Sequence, residues 1–335
     1  MATDVKEGVT TAINGVKTIK CNSKVTMHIS RGQRATVRVV ENGKLHSNVT
    51  FDGKKLTVDG PSGRNNGYNI DGSSIKTELF VTLPQMTNVS NSGILNLDAK
   101  GMTASADVEI SNNGQAEIDL GTFSYTSGAF TLKNHGVVTF SAELINADDV
   151  NITNNGVAKM DKGVAIRAKN AYISVPGVIN VSGMKVNADK CKLSCSGMVK
   201  GSAFAINSDE TTLSVTGAYS ADTDVKGNTL TMTVSGIASG KMNFNGGDMK
   251  LSCNGQTSSA IKVKCNNLSL SGSGIIKSAV TGSARSASIS GNVSENCIKG
   301  LSAGNVVNRS NSDYDKIFNR NNSVTRSNSD DRDVW

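Results

Sequence analysis

The chain has 335 residues, among them 34 glycines, three prolines and only 4% aromatic residues, and 35 basic against 28 acidic side chains give a formal charge of +7. That composition excludes a helical bundle and a core built on large rings, and leaves a narrow interior of small and β-branched side chains. The pI near 9.0 permits an acidic partner. The basic residues are nevertheless scattered along the chain rather than gathered into a run, which argues against a nucleic-acid groove.

The first thirty residues carry Asp4, Lys6, Glu7, Lys17, Lys20 and Lys24 and hold no apolar run of signal-peptide length, so cytosolic synthesis is expected. No segment has the apolar length of a membrane span. Strand-like runs occur at 25–29, 35–40, 56–58 and 79–83, the last closed by Pro84. Asn42-Gly43, Asp52-Gly53 and Asp71-Gly72 offer hairpin turns between them. Residues 1–84 are therefore expected to form an antiparallel β cap over one end of a repetitive body.

From residue 85 the chain repeats. Glycines recur at 93, 114, 136, 156, 177, 197, 217, 236, 255 and 274, at intervals of 19 to 22 residues. Aligned on that glycine, the position four before it is apolar throughout: Val89, Ile110, Leu132, Ile152, Ile173, Leu193, Leu213, Met232, Leu251 and Leu270. The next position is polar in every repeat, from Ser90 to Ser271, with Lys133 the one charged member. Such period-two alternation is a half-buried strand.

Two residues after the glycine a second inward column begins with Leu95, Ala116, Val138, Ala158, Ile179, Val199 and Ala238. Asn and Asp then cluster before the next repeat, as at 146–149, 187–189 and 245–248, where they favour corners. Strand, glycine corner, strand, short third segment and Asx corner make one turn of a solenoid. The expected fold is all-β: a single-stranded parallel β-helix (β-solenoid) of about ten coils over 85–304, each coil stabilised by its neighbours.

Two positions before the glycine, Asn91, Asn112, Asn134 and Asn154 give way to Val175, Cys195, Val215, Val234 and Cys253. The asparagines are expected to stack as an amide ladder and the later column to continue the apolar strand inward. Residues 305–335 balance five basic with five acidic residues and have little apolar content, which predicts a disordered tail.

No reactive constellation emerges. The cysteines at 21, 191, 195, 253, 265 and 297 include no C-x-x-C pair, so no zinc site is expected and core packing is the reading for Cys195 and Cys253. Cys191 and Cys195 lie four apart on one strand, a poor geometry for a disulfide. His28, His46 and His135 sit in unrelated contexts, and Glu117 has Asn96 and Thr139, not a second carboxylate, as column neighbours. No catalytic, metal or cofactor residues are assigned, and an enzyme is not expected.

The run from Val16-Lys-Thr-Ile through 25–32, 35–39, 56–58 and 79–93 resembles the head GIN domain family of putative auto-transporter adhesins. The Ser-Gly-Ser-Gly at 271–274 fits that family's small-residue turns. The resemblance covers about residues 10–300 and implies a β-solenoid with a surface or adhesive role. It supplies no catalytic residues, and the export signal or lipid anchor typical of the family is not found in the sequence.

The function expected is a non-catalytic structural or binding module, adhesive towards a glycan or a surface protein. One alternative is a phage or virion fibre, or a filament component that assembles end to end or as a homo-oligomer. A polysaccharide-active β-helix enzyme is the other.

Overall fold

The computed structural model describes residues 2–61, 76–125, 127–161, 163–293 and 295–310. The chain is a parallel β-solenoid of about 11 turns, nearly all strand.

It begins with β1 (Thr3–Asp4), β2 (Thr11–Ala12), β3 (Thr18–Cys21), β4 (Lys24–Arg31), β5 (Thr36–Glu41), β6 (Asn48–Phe51), β7 (Lys55–Asp59) and β8 (Thr77–Leu83). Antiparallel pairing joins β1 to β6, β2 to β5, β5 to β8 and β6 to β7. The remaining pairs differ from the antiparallel cap expected: β3 pairs in parallel with β7, and β4 with β8. Moreover β3 and β4 pair in parallel with β9 (Asn88–Asn91) and β10 (Ile94–Asp98), the first two strands of the repeat. The solenoid thus extends into the N-terminal segment, with Cys21 in the asparagine column and Ser23 in place of the glycine.

The turn at Asp52-Gly53 forms as expected, with Gly53 at φ 92° and the Asp52 carboxylate accepting the amides of Lys54 and Lys55 at 3.0 and 2.7 Å. Asn42-Gly43 is not a hairpin, because the strands it joins, β5 and β6, pair with other partners. Asp71-Gly72 lies outside the described residues.

Each coil then contributes a strand to three parallel sheets: sheet I before the glycine, sheet II after it, and sheet III before the Asx corner. In sheet I, Ile110 registers with Val89 and Leu132; in sheet II, Ala116 registers with Leu95 and Val138. Sheet III carries Phe123 opposite Ile145, and later Val186, Ile206, Val225, Phe244 and Val263 in one file. All ten members of the column four before the glycine are buried, none more than 2% exposed. Because each touches the coils on either side, its loss opens two interfaces at once.

The glycines are required by close approach. A Cβ at any of the ten, from Gly93 to Gly274, would stand within 3.0 Å of the backbone of the preceding coil. The reason is a main-chain ladder: each glycine carbonyl accepts the N–H of the residue after the next coil's glycine, as in Val137 to Gly114 at 2.9 Å and Met198 to Gly177 at 2.8 Å.

The asparagine ladder also forms. Asn91 Nδ2 donates to Asn112 Oδ1, Asn112 to Asn134 and Asn134 to Asn154, each at 2.7 Å and buried. Each amide donates as well to its own corner glycine carbonyl and to a carbonyl one coil on. Two coils past the last rung, Cys195 reproduces part of that bonding, its Sγ pointing at Gly197 O and Ala218 O at 3.5 and 3.3 Å.

At the far end a short helix α1 (Glu295–Ile298) replaces the sheet II strand and buries Cys297 and Ile298. The final strand, Gly300–Ser310, pairs with Thr281–Gly291. The boundary expected at 304 therefore falls inside a strand; residues 311–335, the rest of the expected tail, lie outside the described residues.

Candidate functional site

Inward positions are fixed by stacking, so whatever this molecule recognises it meets through the outward rows of its three sheets. Those rows run along the rod at the strand spacing of about 4.8 Å, and neighbouring rows on one sheet are about 6.6 Å apart.

Sheet I carries a hydroxyl row next to the glycine corner: Ser174, Ser194, Ser214, Thr233, Ser252, Ser271 and Ser290 stand in direct register. The neighbouring outward row of that sheet carries Tyr172, Lys192, Thr212, Thr231, Lys250 and Ser269.

Sheet III is built differently over five coils. One outward row reads Arg167, Asn187, Asn207, Lys226, Asn245, Lys264 and the other Ala165, Lys185, Ala205, Asp224, Asn243, Lys262. Between Lys185 and Lys264 these rows wall a trough of about 740 Å³ whose floor is the backbone of the strands. The apolar side chains between the rows, Val186 to Val263, point into the core. Ala205 leaves the wall low between Lys185 and Asp224.

Its electrostatics are lopsided. Asp224 is occupied by Asn243, whose Nδ2 donates to it at 2.5 Å, and Asn207 donates weakly to Asn187 at 3.4 Å. Among the described residues, no carboxylate lies within ion-pairing distance of Lys185, Lys226, Lys262 or Lys264. Elsewhere lysines do find partners, as Lys133 with Glu109 at 2.7 Å and Lys169 with Asp148 at 2.8 Å. Four ammonium groups without carboxylate partners, alternating with amides that donate and accept, are suited to acidic and hydroxyl groups on an extended chain. No aromatic side chain stands in either row, so there is no platform for stacked bases.

Residues weighed for chemistry are not assembled. His28 stacks on Phe80 at 5.2 Å with Arg38 on the same ring at 4.9 Å; His46 lies 3.5 Å from Glu7; His135 meets Asn155 at 3.0 Å, on another coil. Among the described residues no three metal-ligating side chains converge, and no helix is long and apolar enough to cross a membrane. The six cysteines are free, and burial pushes the Cys21 and Cys191 thiols up to about 12, so these two act as small apolar fillers at neutral pH.

Charge is also distributed along the rod in a way that linear spacing conceals. Residues 85–161 hold three basic and nine acidic side chains, net −6, whereas 162–304 hold fifteen basic and seven acidic, net +8. The trough belongs to the basic half.

No family model matches the chain, and no curated protein matches it significantly. Among solved structures it is similar to a putative adhesin from Bacteroides fragilis NCTC 9343, at 12% identity and a TM-score of 0.34, over 84% of this chain and 96% of that one. Another is a putative adhesin from Parabacteroides merdae ATCC 43184, at 11% identity and a TM-score of 0.27, over 84% and 95%.

Proposed function

We propose that the chain is a non-catalytic binding rod with an adhesive role, which holds an extended glycan bearing acidic groups in the sheet III trough. The observation that carries this reading is the double row from Lys185 to Lys264, in which amides and carboxylate-free lysines repeat at the strand spacing. A polymer with carboxylate or sulfate groups meets several of these cations at once. Each contact is weak because the lysines are exposed, so affinity comes from number and weakens with salt. An adhesive role is also what the resemblance to the head GIN domain family implies.

The experiment is binding of the purified protein to an array of neutral and acidic glycans at low and physiological salt. The variant Lys226→Ala/Lys262→Ala/Lys264→Ala, all outward positions, is expected to weaken acidic-glycan binding about tenfold or more if each lysine contributes about 0.5 kcal/mol. Retained binding in that variant, or equal binding to neutral and acidic chains, removes the trough from the reading.

A further inference from the structure

The residue just after each corner glycine points outward, and over ten coils it forms one continuous row, which Lys24 continues at the N-terminal end: Ile94, Gln115, Val137, Val157, Val178, Met198, Ala218, Ile237, Gln256 and Ile275. Six of the eight apolar members are between 40% and 54% exposed, which makes a ridge rather than scattered apolar side chains. Stacking does not demand it, since the same position accepts Gln115 and Gln256. Ten residues at about 4.8 Å span about 43 Å, and a strip about 15 Å wide would bury about 650 Å² per copy, near the ordinary size of a stable protein interface.

We propose that this ridge is the interface of a homodimer in which two rods lie side by side and antiparallel, related by a two-fold axis between Val178 and Met198. Read from either end, the row has the same polarity: apolar, Gln, six apolar, Gln, apolar. Antiparallel apposition therefore sets Gln115 against Gln256 and every apolar residue against an apolar one: Ile94 with Ile275, Val137 with Ile237, Val157 with Ala218, Val178 with Met198. The two-fold axis also sets the flanking sheet II row against itself. Asn96 then faces Lys277, Glu117 faces Ser258, Thr139 faces Ser239, Lys159 faces Ser220 and Asn180 faces Lys200, with no like charges opposed.

Charge decides between the two ways of matching ridges. A parallel pair would align the −6 coils of 85–161 with their own copy, whereas the antiparallel pair sets them against the coils of 201–304, which hold eight basic and six acidic residues, net +2; the central coils face themselves in either arrangement. The ridge lies at the corner between sheets I and II, so sheet III of each copy faces away from the partner and both troughs stay open.

The test is sedimentation of the full chain across protein and salt concentration, with Met198→Glu as the disrupting variant. Met198 points into solvent within one chain, so circular dichroism should be unchanged while the dimer weakens at least about tenfold, as expected for a charge buried at the centre of an apolar interface. Wild-type protein should sediment at twice 34.9 kDa and dissociate on dilution, with raised salt reducing only the contribution of the opposed charges. Orientation is read by mixing Val137→Cys with Ile237→Cys chains and treating them with a short bis-maleimide, with wild-type protein as the background control for its own thiols. Cross-links between unlike chains support the proposal. Links between like chains mean parallel pairing and overturn it, as do a monomer at every concentration, a dimer indifferent to Met198→Glu, or species that lengthen with concentration.

Discussion

The asparagine ladder predicts a gradient of stability that simple burial does not. Asn134 donates to Asn154 Oδ1, Gly136 O and Val157 O at 2.7, 3.0 and 3.1 Å, and its Oδ1 receives Asn112 Nδ2 at 2.7 Å. Replacing it by valine, which fills the same column at Val175, Val215 and Val234, strands the buried Oδ1 of Asn154 without its donor. Such an orphaned acceptor costs about 1–3 kcal/mol. Asn154 is the last rung and has no amide beyond it, so Asn154→Val takes a donor from Gly156 O and Val178 O, as Asn134→Val does from Gly136 O and Val157 O, but strands no side-chain Oδ1 and removes one of three acceptors from Asn134. The inner variant should therefore be about 2 kcal/mol less stable than the outer one. The double variant Asn134→Val/Asn154→Val removes the stranded oxygen and should be more stable than Asn134→Val alone, a non-additivity of opposite sign to simple accumulation of damage. Urea denaturation followed by far-ultraviolet circular dichroism measures this, using variants whose m-values agree so that midpoints can be compared. Equal loss in both single variants, or a double variant at the sum of the two, refutes the cooperative ladder.

The same packing sets three further expectations. Gly217→Ala would place a Cβ within 3.0 Å of Gly197 O, Ser196 O and Ser196 C, all main-chain atoms that cannot turn aside, so it should cost several kcal/mol, about 3 or more. Gly60→Ala meets nothing within 4 Å and should leave the urea midpoint unchanged or slightly raised. Burial holds the Cys21 and Cys191 thiols near 12 against an ordinary 9.0. Between those values the unfolded chain sheds protons that the folded chain keeps, so stability is unaffected below about pH 9 and falls as pH rises toward 12. The difference in unfolding free energy between wild type and Cys191→Ala should shrink by about 1.4 kcal/mol per pH unit in that window and be flat below it. A flat difference up to pH 11 would mean that Cys191 is accessible to solvent.

The inward columns are legible in the sequence because period-two alternation and a corner glycine leave a tag in every coil. The ladder is legible for the same reason: four amides at one phase of a buried strand can satisfy each other only by stacking. Legibility stops at the N-terminal coil, where Ser23 replaces the glycine and Cys21 the asparagine. There the tag is missing although the register, Thr18 to Asn88 and Val25 to Leu95, continues the stack. Tyr219 and Thr257 fill the inward column after the glycine without matching its apolar pattern. Each does so by bonding its hydroxyl, to Thr223 at 2.6 Å and to Ser278 at 2.8 Å. Surface features are harder to read. The trough is assembled from residues 19 or 20 apart, so its lysines stand alone in the sequence and together on the sheet. The ridge is hidden because apolar residues beside a glycine look like the start of an inward strand until the phase of the next residue is fixed.

The two surface features bear on one another through geometry. A single trough offers a handful of exposed lysines, each worth little, and a rod bound through it alone would exchange rapidly. An antiparallel pair joined by the ridge carries two troughs on opposite outer faces, with their rows running in opposite directions along the rods. It could therefore hold two separate glycan chains, or two reaches of one mesh, at once. Once the first trough is engaged, the second meets ligand at the local concentration of the mesh rather than that of the bulk, and retention on a glycan surface can exceed single-site affinity by about 10²–10⁴. Monomeric Met198→Glu should then keep the wild-type affinity for a short oligosaccharide in solution yet be lost quickly from a dense glycan surface. The triple lysine variant should lose both. A monomeric variant that stays on the surface as long as wild type would separate dimerisation from adhesion and leave the trough to act alone.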